Sequence, residues 1–196
     1  LLERMKTHLE EERPRRDFGL DEDQDKMLRG FAFLSLKPVL IIFNLGDDQD
    51  ESFRDIKYEH QDSNVVGLHG SLEADLAQLD DPEDIEMFMG EYGITELSAD
   101  MVIGLSYELM GIHSFFTVGE DECRAWSINI GTRAQDAAGT IHTDLQKGFI
   151  RAEVIAYDDL IAEGSEAAVK KVGKMHLEGK DYMVQDGDIM HVRFNI

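Results

Sequence analysis

Three observations predict a mixed chain, an α/β segment behind polar helices followed by an α+β domain. The first is the stretch 131–157, GTRAQDAAGTIHTDLQKGFIRAEVIAY, which reads as a helix, a tight polar loop and a strand. Thr132 is placed to cap the helix, and Ala134, Ala137, Ala138 and Ile141 recur at helical spacing with almost no bulk. Such a helix must lie close against something flat, and a small-residue helix on a sheet is the centre of a β-grasp fold. The second is a pair of apolar runs, VLIIFNL at 39–45 and VVGL at 65–68, of the kind found in strands covered on both faces. The third is a highly polar opening, residues 1–34, with apolar residues at helical spacing.

Taken in order, Leu1, Leu2, Met5 and Leu9 form a stripe on a charged helix that Pro14 interrupts before Arg15 and Arg16. A helix resumes over 21–34 with Met27, Leu28, Phe31 and Leu34 on one face. Helices this polar need a partner, so the expectation is the end of an antiparallel coiled-coil hairpin over 1–33. The competing reading is a solvated terminal helix of one globular domain. The chain opens within a helix and without an initiator methionine, which suggests a parent extending upstream. The first strand follows Lys37-Pro38, and the second ends in His69-Gly70-Ser71, where a helix bearing Leu72, Leu76 and Leu79 starts. Pro82 opens a helix with Ile85, Phe88 and Met89, and 98–111 gives a longer one with Met101, Leu105 and Leu109 inward. Two strands and three helices over 34–112 look like the last third of a doubly wound sheet.

Over 113–196, the run FIRAEVIAY alternates as a strand with one buried face. Asp158 and Asp159 sit in the first turn of a helix, where the dipole favours acids, and a second short helix at 166–172 is stopped by Gly173. Gly179 centres a hairpin signal, and Asp186-Gly187-Asp188 turns into the last strand. In that strand Met190, Val192, Phe194 and Ile196 are expected to face the core.

Net charge is −22, divided as −17 over residues 1–112 and −5 over 113–196. That opposes non-specific binding to a phosphate backbone, so any RNA contact needs a local basic patch. The best candidate joins Lys170, Lys171 and Lys174 with Arg151 and Lys147, if the fold brings them together; the competing reading is a solvated face. A single cysteine, Cys123, excludes an internal disulfide and suits a reducing, cytoplasmic setting. Its strand-like surroundings make it a small core residue. No apolar run approaches the ~20 residues that span a bilayer, so no membrane partner is expected. The seven histidines show no metal-ligand spacing, and His142-Thr143-Asp144 reads as loop chemistry satisfying free main-chain groups.

Two resemblances join these pieces. AAGTIHTDLQKGF and the strand after it resemble the TGS domain shared by threonyl-tRNA synthetases, some GTPases and the SpoT/RelA enzymes. LLERMKTHLEEERP, LRGFAFLSLKPVLIIFNLGD and SYELMGIHSFFTVGEDECRAWSI, running into that phrase, are similar to the YchF, or Obg-like ATPase, family in its own order. The resemblance implies a coiled-coil end (1–33), the C-terminal remnant of a P-loop G domain (34–112) and a TGS β-grasp domain (113–196). It implies an ATP or GTP hydrolase of the translation-factor class that uses Mg²⁺ and associates with the ribosome or a ribosomal subunit.

The departures from the family matter as much. No G-x-x-x-x-G-K-[ST] occurs, so the groups that hold phosphates and Mg²⁺ are missing, and this chain alone is expected neither to hydrolyse nucleotide nor to hold it tightly. The family's base-recognition motif N-x-x-E corresponds to Asn44-Leu45-Gly46-Asp47, with aspartate in place of glutamate. A carboxylate accepts from both N–H donors of guanine and would repel the bare N1 of adenine. The family therefore points to ATP, while Asp47 leaves GTP open. Leu45 would lie flat on the base, and Gly70 and Ser71 would approach from the other side. The alternative is that Asn44 and Asp47 merely close a strand-to-loop turn. A different class of function also remains, a stand-alone TGS-type module that binds RNA or protein with no NTPase role.

Overall fold

The structure, a computed structural model, describes residues 1–46, 55–94, 96–119 and 121–195. It forms two compact units, Leu1–Met110 and Gly111–Ile196. Among the described residues, no helix is long and apolar enough to cross a membrane.

In the first unit, α1 (Leu2–Glu10) turns Met5 and His8 inward and leaves Leu2 and Leu9 exposed. The expected stripe is therefore not the buried face: the chain turns back after the helix, placing Pro14 O 2.8 Å from His8 Nε2 and Arg15 against Met5. Arg15 donates to Met5 Sδ at 3.1 Å and lies 4.5 Å from the Phe33 ring, a desolvated setting that lowers its pKa. Asp17 anchors this corner, accepting from His60 Nδ1 at 2.6 Å and Gln61 N–H at 2.9 Å. The His60 hydrogen bond holds its carboxyl below the usual range.

A second helix, α2 (Glu22–Leu28), is capped by Asp21 and gives way to 3₁₀ turns at Arg29–Phe31 and Leu34–Leu36. Of its expected apolar face only Leu28 is buried; Met27, Phe31 and Leu34 are exposed. Strands β1 (Val39–Asn44) and β2 (Ser63–Leu68) pair in parallel, from Val39↔Ser63 to Asn44↔Leu68. They are not covered on both faces as the apolar runs suggested: no residue of β1 is fully buried, and only Val66 is in β2. Helix α3 (Gly70–Leu76) buries Leu72 and Leu76, α4 (Pro82–Tyr92) opens on Pro82, and α5 (Ser98–Met110) follows. Glu73 of α3 accepts from Ser98 N–H at 2.9 Å and so caps α5.

The second unit is a five-stranded sheet in the order β4-β3-β7-β5-β6. Its strands are β3 (Ile112–Val118), β4 (Cys123–Asn129), β5 (Phe149–Ala156), β6 (His176–Glu178) and β7 (Asp188–Phe194). Only the β3–β7 pair is parallel. Helix α6 (Ala134–Ile141) packs its alanines on one face, where Ala134, Ala137 and Ala138 join Phe115, Phe149, Ala152, Val154 and Met190. Thr132 does not cap this helix; its hydroxyl donates to Asn129 O at 2.6 Å in the preceding turn. A five-residue helix, α7 (Thr143–Lys147), is capped by His142 Nδ1, which accepts from Asp144 N–H at 3.2 Å.

The opposite face has a second core, a departure from the one-sided pattern expected of β5. Helices α8 (Tyr157–Glu163) and α9 (Glu166–Lys171) bring Leu160 and Val169 against Ile155 and Ile189. Consecutive strand residues point to opposite faces, so Val154 and Met190 serve one core while Ile155 and Ile189 serve the other. Gly179 makes no two-strand hairpin: β6 pairs with β5, and Met183 bridges to Arg133. Cys123 is an exposed free thiol on the outer strand, not a core residue.

Candidate functional site

The carboxyl ends of β1 and β2 lie side by side, where open α/β sheets leave room for ligands. Asn44, at the end of β1, reaches across this gap, its Oδ1 accepting from Gly70 N–H at 3.1 Å. A Cβ on Gly70 would come 2.9 Å from that same oxygen, so glycine is what permits the close approach. Because Oδ1 is fixed as an acceptor, the Nδ2 donors of Asn44 point elsewhere, on an exposed side chain. Leu45 is held by its N–H to Leu68 O at 2.7 Å. Ser71 is exposed in the first turn of α3. Asp47, the carboxylate that would tell purines apart, lies outside the described residues.

Sequence reasoning missed His69. Its Nδ1 lies 2.9 Å from Gly46 O and carries the proton in that contact, tying the β2–α3 connection to the β1 loop. Its place directly after a buried-type strand and before a required glycine was the available signal. Together Asn44, Gly46, His69 and Gly70 form a two-loop clamp in which, among the described residues, the Asn44 amide donors have no partner. That arrangement suits the acceptor nitrogen of a planar heterocycle. Among the described residues, no group of three His, Cys, Asp or Glu side chains could hold a metal ion.

The five cations expected to form one patch are divided between the two faces of the sheet. Lys147 ends α7, on the face of the α6 core, whereas Lys170 and Lys171 lie on α9, on the other face. Lys174 is committed to α8: its Nζ lies 2.9 Å from Asp159 Oδ1 and 3.4 Å from Glu163 Oε1, hydrogen bonds that raise its pKa. Arg151 sits opposite Arg193 across the β5–β7 ladder, and Arg193 pairs with Glu153 at 2.9 Å.

A buried polar cluster lies at the start of β7. Asp188 is 5% exposed and accepts from Tyr182 Oη–H at 2.9 Å and Gln185 N–H at 2.8 Å. Desolvation raises the pKa of both Asp188 and Tyr182. The cluster closes the turn that admits β7.

Comparison with known proteins gives a consistent result. The family described as "YchF-GTPase_C: Protein of unknown function (DUF933)" matches residues 112–195. The "Ribosome-binding ATPase YchF" of Pasteurella multocida is 44% identical over 202 residues, covering 100% of this chain and 55% of that protein. The protein of the same description from Bacillus subtilis is 39% identical over 204 residues, covering 100% and 56%. The solved structure of the Schizosaccharomyces pombe YchF GTPase superposes with a TM-score of 0.81 at 27% identity, covering 98% of this chain and 53% of that one. The chain thus spans about half the length of the relatives it matches.

Proposed function

Residues 112–195 belong to the YchF C-terminal family and the whole chain is homologous to the C-terminal half of YchF proteins, and from that premise we propose that it serves a ribosome-associated, nucleotide-binding ATPase. The observation that carries this reading is similarity over 100% of the chain to proteins described as ribosome-binding ATPases. In it, residues 34–112 complete a G domain and supply the base clamp. Asn44 offers Nδ2 to a purine ring nitrogen, Leu45 covers the ring, and Gly70 with Ser71 borders it. Asp47 weighs GTP against ATP. The residues present suit the base but not the phosphates or Mg²⁺, which the remainder of a longer parent would hold. Hydrolysis therefore belongs to that parent, acting in the cytoplasm.

Residues 113–196 are the recognition module, a TGS-type β-grasp. Support comes from the mixed sheet in the order β4-β3-β7-β5-β6 with a small-residue helix across it. Residues 1–33 are the end of a coiled coil, a reading supported by exposed Leu2 and Leu9 on α1 and Met27 on α2, which a partner helix would cover. Nucleotide state then moves these parts against the G domain and tunes contact with the ribosome.

The test is co-sedimentation of the chain with purified ribosomes across a salt series, beside Arg151→Glu/Lys170→Glu/Lys171→Glu and Lys147→Glu variants. Salt-sensitive binding lost in either variant supports ribosome recognition by this half and says which sheet face makes it. Binding unchanged in both removes those cations as the contact. If a nucleotide-loaded parent and the nucleotide-free parent bind ribosomes equally, the coupling is wrong.

A further inference from the structure

Strand β7 has a neighbour along its whole length on one side and only at its start on the other. β5 pairs with it from Asp188 to Phe194, whereas β3 meets it at Phe116↔Ile189 and ends at Val118. Among the described residues, no strand pairs on the β3 side of Val192–Phe194. The hydrogen bonds Tyr157 N–H to Gly187 O at 3.0 Å and Asn195 N–H to Gly148 O at 2.9 Å set the alternation. Gly187, His191 and Asn195 turn their main chain towards β5, so Val192 and Phe194 turn theirs outward. An edge of unpaired N–H and C=O groups is a template that only another extended chain satisfies in full.

Beside this edge lies an open groove of about 460 Å³. One wall is apolar, made by Ile141 and Leu145 with Val192 and Phe194, the last 46% exposed. The other wall is polar, with Glu153 paired to Arg193 and Glu166 Oε1 2.9 Å from His191 Nε2. With His191 neutral that wall carries a net charge of −1. We propose that the β7 edge accepts an extended basic peptide as an added strand. Its main chain pairs with Val192 and Phe194. Alternate apolar side chains settle on Ile141 and Leu145, and the intervening lysines or arginines face Glu153 and Glu166. The net charge of −22 sets a second copy of this chain against itself, so the occupant is a foreign segment of opposite charge.

The experiment titrates the full chain into a fluorescein-labelled octapeptide of alternating valine and lysine and follows anisotropy at low salt. The expected result is saturable binding that weakens at least about tenfold for three altered partners. These are the same peptide N-methylated throughout, the peptide with glutamate for lysine, and the Leu145→Asp chain. Val192→Pro, which deletes one outward N–H, weakens binding likewise, with Trp126 fluorescence checking that the unit stays folded. Because the N-methylated peptide needs no altered protein, a variant that fails to fold does not spare the proposal. Equal binding of the N-methylated peptide would reduce the effect to charge alone and overturn it. Absence of binding, or a dimer of the chain that Val192→Pro dissolves, overturns it as well.

Discussion

Gly148 leads from α7 into β5, and the main chain of Asn195 closes against it. A Cβ at this position would lie 2.5 Å from Asn195 O, 3.0 Å from Asn195 C and 3.2 Å from Asp144 O. All three are backbone atoms, so no side chain can rotate away. The φ of −88° is ordinary, which makes the penalty steric and not conformational. Relief requires Asn195 to withdraw, giving up its N–H bond to Gly148 O at 2.9 Å. Overpacking costs about 1–3 kcal/mol and the hydrogen bond about 1, so Gly148→Ala should lose about 2–4 kcal/mol.

Gly139 is the control. There a Cβ would lie 2.8 Å from Gln146 Cδ and 2.9 Å from its Oε1, the far end of a flexible side chain. Displacing Gln146 gives up its bond to Asp136, 3.0 Å, but alanine inside a helix returns about 0.5–1 kcal/mol. Gly139→Ala should stay within about 1 kcal/mol of the parent chain. Trp126 is the sole tryptophan and lies in the second unit, so its fluorescence through a urea titration follows that unit alone. Equal effects of the two substitutions, or a Gly148→Ala chain within about 1 kcal/mol of the parent, would refute the reasoning.

Three further outcomes are expected. Gly70→Ala should cost about 1–3 kcal/mol in the first unit, followed by far-UV circular dichroism, and far less in an Asn44→Ala background; additive costs would mean that the Asn44 contact is not what demands glycine. Desolvation raises the Asp188 pKa above its unfolded value, so its contribution is full below the unfolded pKa and is lost as pH rises through the folded one. Asp188→Asn keeps the oxygen that accepts from Tyr182 and Gln185, so urea midpoints should show the parent losing ground to the variant as pH rises through that window; a constant difference would contradict it. Cys123, exposed on β4, should react with a disulfide reagent in native buffer within about tenfold of its rate in urea, and protection beyond that would place it in the core after all.

What could be read from the sequence was local. The spacing of Ala134, Ala137 and Ala138 disclosed a helix pressed on a sheet because small residues at 3.6-residue period have few other uses, and all three are fully buried. The phrase around His142 was the most specific in the chain, and it is structural: His142 caps α7, Gln146 holds Asp136, and Gly139 and Gly148 permit the close approaches. Tertiary arrangements were not legible. Nothing in the alternation of β5 or β7 announced that α8 and α9 would cover the second face, so Ile155 and Ile189 passed as ordinary strand residues. Lys174 looked like part of a patch until α8 supplied Asp159 and Glu163. Cys123 read as core because a strand-like run does not reveal that its strand is outermost. At the candidate clamp Asn44 was named from the N-x-x-E motif and Gly70 from the loop after the second strand, but the reason for the glycine and the brace from His69 needed coordinates.

The position of β7 between β3 and β5 has a consequence for how the second unit is made. A chain emerging from its N-terminus completes both flanking parts of the sheet before the strand that joins them. Until residues 188–194 arrive, β3 with β4 and β5 with β6 are two ribbons without a shared hydrogen-bond ladder. The parallel β3–β7 contact spans more than seventy residues, giving a high contact order that slows closure. Loss of those seven residues would leave not a shortened sheet but two halves, so folding of this unit itself reports whether synthesis has run through β7.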